Sequence, residues 1–396
     1  MLAEEILQEA SSYENEIISI RRTLHEYAEV GFDLKQTKAF VAEQLTELGY
    51  IPQNCGKAGI VATIGENNNR NKVFLLRADM DALPIQEESG ENFACTNGNM
   101  HGCGHDMHTA MLLGAAKLLK KCEDKLQGTV KLMFQPAEEL LAGSRDMIEN
   151  GVLDNPKVDA GMMLHVLSGL SIKEGTVIVS EPGVSAPSAD YFTINVKGKG
   201  CHGSMPQDGI DALIVAAHIL IGLQELSARE MSIADKAIIT IGSLKAGEAS
   251  NVISDTAIMK GSIRAYDENL REYLKNRICD ISNGIARAYR ATAYTEFDSG
   301  APTLINDKHL SESARKYLAE LTTVMSPSGK VSGGGSEDFA YVSHKIPTIM
   351  VALAAGSREK GFEYPLHHPK VRFNENVLPI GSAVYAYMAI KYLSEE

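Results

Sequence analysis

Short, nearly continuous apolar runs recur along the first half of the chain, each closed by polar residues. Lys72–Ala78 (KVFLLRA), Thr129–Gln135 (TVKLMFQ) and Ala160–Val166 (AGMMLHV) are too short for helices and too uniformly apolar for half-exposed strands. They predict strands buried on both faces. Pro347–Leu353 (PTIMVAL) repeats the pattern near the other end. Helically spaced segments alternate with these runs, including a long apolar helix over Thr109–Lys121 and a terminal one over Val377–Tyr392. Alternation of this kind predicts an α/β domain with a largely parallel sheet. The middle of the chain has another rhythm. Strands are predicted over Tyr191–Lys197, Ala237–Leu244, Thr256–Arg264 and Thr292–Phe297, with helices over Ile210–Leu226 and Glu268–Arg287. That order, β-α-β-β-α-β, is the split ferredoxin-like unit. Pro- and Gly-bearing stretches at 181–187 and 299–302 mark its ends. Residues 187–299 therefore read as a domain inserted into one built from 1–186 and 300–396.

A length of 396 residues suits two domains better than one core. The net charge of −13 argues against a nucleic-acid binder, with no basic face to neutralise phosphates. No run of eighteen apolar residues predicts a membrane span, and the acidic, amphipathic start does not read as a secretory signal. Six cysteines without paired spacing fit a reducing, cytoplasmic setting.

The run 101–108 (HGCGHDMH) changes the picture. It crowds a thiol, three imidazoles and a carboxylate into eight residues, with Cys103 and His105 on a Gly-relieved loop just before the predicted helix. Thiolate and imidazole on a shaped loop predict a metal site, against the alternative of an inert cysteine beside surface histidines. A second, independent line comes from the strand ends. Asp79 and Asp81 follow the first apolar run, Glu138 and Glu139 the second, and His165 lies in the third. Ligand crevices in open α/β sheets lie at the carboxyl ends of strands. Adjacent carboxylates on extended backbone face opposite ways, so one of the Glu138–Glu139 pair could bind metal while the other acts as a base. His165 alone would read as a satisfied core histidine, and His367–His368 as loop histidines. The triple glycine 333–335, followed by Ser336-Glu337-Asp338, predicts close backbone approach to a ligand, or simply a loop. Gly198-Lys199-Gly200-Cys201-His202-Gly203 matches a dinucleotide fingerprint in letters only, since the next strand ends in Lys245 rather than an acid. No nucleophile elbow occurs. Cys103 and His105, two residues apart on one loop, make a poor nucleophile–base pair.

Taken in order, the motifs RRTLHE (21–26), RADMDALP (77–84), MHGCGHD (100–106), QPAEE (135–139), Leu164-His165, HGSMP (202–206), NVI (251–253), GSIR (261–264), GSEDF (335–339) and Leu366-His367 resemble the aminoacylase/hippurate hydrolase family of metal-dependent amidohydrolases, relatives of the co-catalytic zinc exopeptidases. The resemblance covers nearly the whole chain. It implies a zinc-exopeptidase-like three-layer catalytic domain with an inserted ferredoxin-like lid and dimerisation domain. It also implies two divalent cations per subunit, held by Cys103, His105, Glu139, His165 and His367. Manganese or zinc fits this donor set, and nickel or cobalt is compatible. Glu138 would be the general base and Asp79 a carboxylate orienting a ligand imidazole. Arg77 stands where related exopeptidases carry a metal-binding histidine. His202 would polarise the scissile carbonyl of a partner subunit's substrate, in a homodimer or higher homo-oligomer, while Asn251 and Arg264 hold the substrate carboxylate. The implied reaction is hydrolysis of a small-molecule N-acyl-L-amino acid. Alternatives are a dipeptidase or carboxypeptidase on the same site, a silent binding protein, and a cysteine-nucleophile hydrolase. Gly203, Ser204 and Gln207 depart from the family's usual His-Ala-Ala-x-Pro-His, which leaves the acyl group open.

Overall fold

The computed structural model describes residues 3–65, 72–327 and 335–395. They fall into two compact units. Residues up to Ser185, Ile305–Pro327 and from Asp338 onward form the first; Ala186–Leu304 and Gly335–Glu337 form the second.

The first unit is built on an eight-stranded mixed sheet. Its strands include β1 (Gln53–Cys55), β2 (Gly59–Gly65), β3 (Val73–Asp79), β4 (Thr129–Gln135), β5 (Ala160–Leu167) and β6 (Val177–Val179). The spatial order is β1-β2-β4-β3-β5, then Thr348–Ala354, β6 and Val324–Met325. The centre, β4-β3-β5-Thr348–Ala354, is parallel. β1, β2 and β6 pair antiparallel with their neighbours on the inner side. The apolar runs thus mark the buried parallel centre; β1 and β6, three residues each, are too short to stand out, and the antiparallel β2, GIVATIG, is a strand of seven residues outside the predicted set.

Every residue of β3 and β4 is buried, including two cations. Lys131 donates to the carbonyls of Val152 and Pro156 at 2.8 and 2.9 Å, and burial pushes its ammonium down to about 8. Arg77 donates to Gln135 Oε1 at 2.8 Å and Asp79 Oδ2 at 2.7 Å, and reaches Asp338 Oδ1 at 3.2 Å. Buried charges persist where partners offset the cost of desolvation. Both are met here within or beside the sheet.

Helices α1 (Ala3–Ser12), α2 (Glu14–Tyr27), α3 (Lys35–Glu47) and α4 (His105–Lys121), with the terminal helix Leu378–Leu393, share one apolar core with the sheet. α4 begins four residues earlier than the apolar pattern predicts. Gly104 turns the chain at φ 84°, where a Cβ would lie 2.4 Å from Val166 Cγ2. Only glycine relieves both the backbone and that contact. His105 and His108 therefore sit on the first helical turn, and Cys103 just outside it.

In the second unit the strands Ala237–Ala246, Thr256–Ala265, Ser188–Lys197 and Thr292–Ala301 form an antiparallel sheet in that order. Ala212–Glu225 and Glu268–Ala288 complete a β-α-β-β-α-β sequence. Asp211 and Asp267 cap these helices through backbone amides of residues 213, 214 and 270. The stretch Ala212–Glu230, against the expectation from the sequence, does reach the length and mean hydropathy, 1.3, of a membrane span. Val215, Ala216, Ile219, Leu223 and Leu226 bury one side of it in this unit's own core.

Candidate metal centre

The segment after β4, the carboxyl end of β5, the start of α4 and the loop that carries His367 bring the five ligand candidates together within the first unit. Cys103, His105 and His165 offer Sγ and two imidazole nitrogens within 4.8 Å of one another. Cys103, Glu139 and His367 form a second such group, and His105, Glu138 and Glu139 a third. Cys103 belongs to both thiol-containing groups. Its Sγ lies 3.5 Å from His165 Nε2 and 3.2 Å from His367 Nε2, and Glu139 Oε1 lies 3.4 Å from His367 Nε2. Two donors bound tetrahedrally to one zinc sit roughly 3.3–3.7 Å apart, given metal–sulfur and metal–nitrogen bonds of about 2.3 and 2.1 Å. The spacing fits cation ligands.

Hydrogen bonds set the imidazoles for that task. A carbonyl only accepts, so His105 Nδ1 donates to Asp81 O at 2.8 Å and His165 Nδ1 donates to Val166 O at 2.7 Å. Each ring keeps its Nε2 lone pair for another partner. His105 Nε2 is buried with no hydrogen bond among the described residues. Burial lowers His105, but the Asp79 charge together with Asp81 and Cys103 outweighs it and holds the imidazole well above its ordinary range. The pocket thus draws positive charge to this nitrogen. Burial raises the Cys103 thiol, which needs an adjacent cation to ionise. Burial, with the neighbouring His108, pushes His165 down to about 3, keeping it a neutral donor. A buried Nε2 with no hydrogen bond among the described residues, in a pocket that favours positive charge, and a buried thiol among carboxylates fit a divalent cation.

Glu138 and Glu139 do not continue β4 in extended form. Ala137 adopts φ 53°, and the backbone turns so that both glutamates approach His105 Nε2, at 4.0 Å (Glu138 Oε2) and 3.9 Å (Glu139 Oε1). Asp81 fixes this turn by accepting from both backbone amides, Glu138 N–H at 3.0 Å and Glu139 N–H at 3.2 Å. His367 is also backbone-anchored. It adopts φ 65°, and its N–H donates to Gly102 O at 2.9 Å. Asp79, expected beside a ligand imidazole, makes its short bond to His108 Nδ1 at 2.6 Å, while His105 Nε2 stands 3.6 Å away. Asp81 and His108 were missed as functional residues. Only the strand-end position of Asp81 and the close spacing of His108 hinted at them.

The α4 start is further tied to α2. Asp106 accepts from Arg21 Nε at 2.6 Å and pairs with His25 Nδ1 at 2.8 Å, and His25 Nε2 meets Glu87 at 3.0 Å. Burial opposes the Asp106 charge, yet Arg21 and His25 hold it well below the usual carboxylate range. His101, alongside, has neither ring nitrogen hydrogen-bonded among the described residues, and burial pushes it down to about 3 despite the Asp106 charge. The unfolded chain binds a proton there below about 6.5 and the folded chain does not. Stability from this group is therefore lost as pH falls from about 6.5 toward 3. His101→Leu is expected to flatten that slope. In urea unfolding it should match wild type or gain slightly at pH 7 and exceed it clearly at pH 5; an unchanged slope would contradict the assignment.

The other three candidates lie in the second unit. Cys201–His202 pairs with Val252–Ile253, and Gly203 N–H donates to Asn251 O at 2.8 Å, so His202 and Asn251 are neighbours on exposed backbone. Ser204 N–H donates to His202 Nδ1 at 3.1 Å, which puts a neutral ring's proton on Nε2 as a donor. Arg264 is engaged by Ser336 Oγ and Tyr191 OH, each at 2.8 Å. Of the triple glycine only Gly335 lies within the described residues.

The family model "Peptidase family M20/M25/M40" matches residues 75–391. The chain belongs to this family. N-acetyl-L-cysteine deacetylase of Bacillus subtilis is 35% identical over 387 residues, 97% of this chain and 89% of that one. Thermostable carboxypeptidase 1 of Saccharolobus solfataricus is 35% identical over 396 residues, 99% of both chains. A Bacillus subtilis crystal structure, described as a dinuclear metal binding peptidase from the M20 family, aligns with TM-score 0.79 and 32% identity over 97% of this chain and 99% of that chain. This M20-family protein is accordingly a hydrolase of amide bonds. Its candidate cation clusters have a dinuclear counterpart among its structural relatives.

Proposed function

We propose that the protein hydrolyses N-acyl-L-amino acids to a carboxylic acid and a free amino acid, with two divalent cations held by Cys103, His105, Glu139, His165 and His367. The observation that carries this reading is the pair of three-donor groups meeting at Cys103, with Glu138 beside them. The Bacillus subtilis deacetylase and an IAA-amino acid hydrolase of Arabidopsis thaliana, 34% identical over 96% of this chain, support the substrate class. When bound, the cations would supply a water acidic enough to ionise near neutral pH and charge to polarise the amide carbonyl. Glu138, its backbone fixed by Asp81, would serve as the base that takes a proton from the attacking water and returns it to the departing nitrogen. His105 and His165 bind through Nε2, the atom their hydrogen bonds leave available. Following the family resemblance, His202 of one subunit would donate from Nε2 to the carbonyl oxygen of a partner subunit's substrate, and Asn251 and Arg264 would bind the substrate carboxylate.

The test is amino-acid release from N-acetyl- and N-benzoyl-amino acids by chelator-stripped protein, before and after adding manganese, zinc, nickel or cobalt. Release restored by metal is the expected outcome. Release only from substrates with a free terminal amine would favour a dipeptidase, and release from N-blocked peptides a carboxypeptidase. Activity indifferent to chelation would refute the metal-dependent reading.

A further inference from the structure

β3 and β5 pair only as far as Arg77 and Met163, after which they part, although β3 continues beside β4 to Asp79 and β5 runs on to Leu167. Beyond that point the amides of β5 that face the β3 side have no ladder partner in β3. A buried amide left unpaired is costly, and side chains take the missing partner's place. Leu164 N–H donates to Tyr385 OH at 3.1 Å, and Val166 N–H donates to His108 Nε2 at 2.8 Å. An amide can only donate, so His108 Nε2 is the acceptor and carries no proton. Its Nδ1–H is then given to Asp79 Oδ1 at 2.6 Å. Asp79 is itself held, through Oδ2 by Arg77 Nη1 at 2.7 Å and through its carbonyl by Thr109 Oγ1 at 2.7 Å. Fully buried, His108 thus fastens the amide of the peptide unit that joins His165 to Val166.

The far side of Val166 carries the consequence. Its carbonyl accepts the Nδ1 proton of His165, whose Nε2 then faces Cys103 Sγ at 3.5 Å. The His108 and His165 rings stand edge to face with centroids 4.6 Å apart. We infer that His108 is a positioning residue: through Asp79 and the Val166 amide it completes the end of β5, and so aims His165 at the donor group of Cys103 and His105. The inference rests on the proposed cation centre and sharpens it. His165 belongs to the group with Cys103 and His105 and not to that with Glu139 and His367. Loss of His108 should therefore weaken one cation position and spare the other.

Two substitutions separate the role from bulk. In His108→Asn the amide can still donate to Asp79 but is too short to reach Val166. In His108→Gln the amide reaches Val166. The experiment titrates the metal-free full-length protein with cobalt(II), following d–d and thiolate absorption, and measures hydrogen exchange at the Val166 amide in the metal-free state. Wild type should bind two cobalt ions in resolvable steps. His108→Asn should weaken one step by about 10- to 100-fold, leave the other within about threefold, and speed Val166 exchange tenfold or more while amides of β4 keep theirs. His108→Gln should recover most of both losses. Equal steps in His108→Asn and wild type would overturn the inference while leaving the centre standing, and so would equal weakening of both steps. Wild type that binds no cobalt would overturn both. If the Asn variant does not fold, the wild-type protein still decides. Long-range proton–nitrogen correlation must show a neutral His108 with its proton on Nδ1, and a proton on Nε2 refutes the arrangement.

Discussion

Glu138→Gln is expected to abolish turnover, by roughly 10²–10⁴-fold for loss of a proton-transferring group, while retaining both cations. The substitution keeps volume and the backbone amide that donates to Asp81 Oδ1 at 3.0 Å, so the turn at 137–139 has no reason to move. Glu138 also lies outside the two groups that contain Cys103. Its neighbour supplies the control. Glu139→Gln removes a donor 3.4 Å from His367 Nε2 and should lose metal as well as turnover. Turnover and metal content, measured side by side on both variants, check the division of labour. Near-normal turnover in Glu138→Gln would remove it from the mechanism.

Cys103→Ala should be the most damaging change to cation binding. Cys103 Sγ lies in both thiol-containing groups, with His165 Nε2 and His367 Nε2 within 3.5 Å of it. Loss of a residue that merely supports a ligand costs about 10- to 100-fold in metal affinity, and loss of a shared donor should exceed that at both positions. Activity at limiting metal should fall in step. Metal content after dialysis against a dilute chelator, with activity on the same samples, provides the measurement. A variant that keeps both cations but loses all activity would instead make Cys103 a nucleophile, the reading that its placement beside His105 argues against.

The parts of the fold that composition alone determines were legible. β4 has the predicted bounds because its seven residues are buried on both faces and bracketed by polar positions. The flanking β1 and β6, three residues each, carry no periodic signal, and their antiparallel pairing depends on where the chain returns. The site divides in the same way. Cys103 and His105 declared themselves by local spacing, and Glu139, His165 and His367 by their part in ordered motifs. His108 and Asp81 act on backbone groups far along the sequence, at Val166 and at Glu138–Glu139. Their chemistry belongs to tertiary hydrogen bonding, which no local pattern reports. The turn at Ala137 was hidden for a related reason. Alanine gives no hint of a left-handed φ, and here tertiary bonds impose it, with Ala137 N–H donating to Gly31 O at 3.1 Å.

The bond from His367 N–H to Gly102 O joins the two ends of the first unit across 265 residues, with the whole second unit between them in sequence. The two three-donor groups therefore differ in what they demand of folding. Cys103, His105 and His165 come from one continuous stretch of the first unit, whereas the group of Cys103, Glu139 and His367 exists only once the segments on either side of the second unit's sequence have folded together. A contact of such long sequence separation is entropically slow to form, so the second group is the more sensitive of the two to anything that loosens the His367 segment.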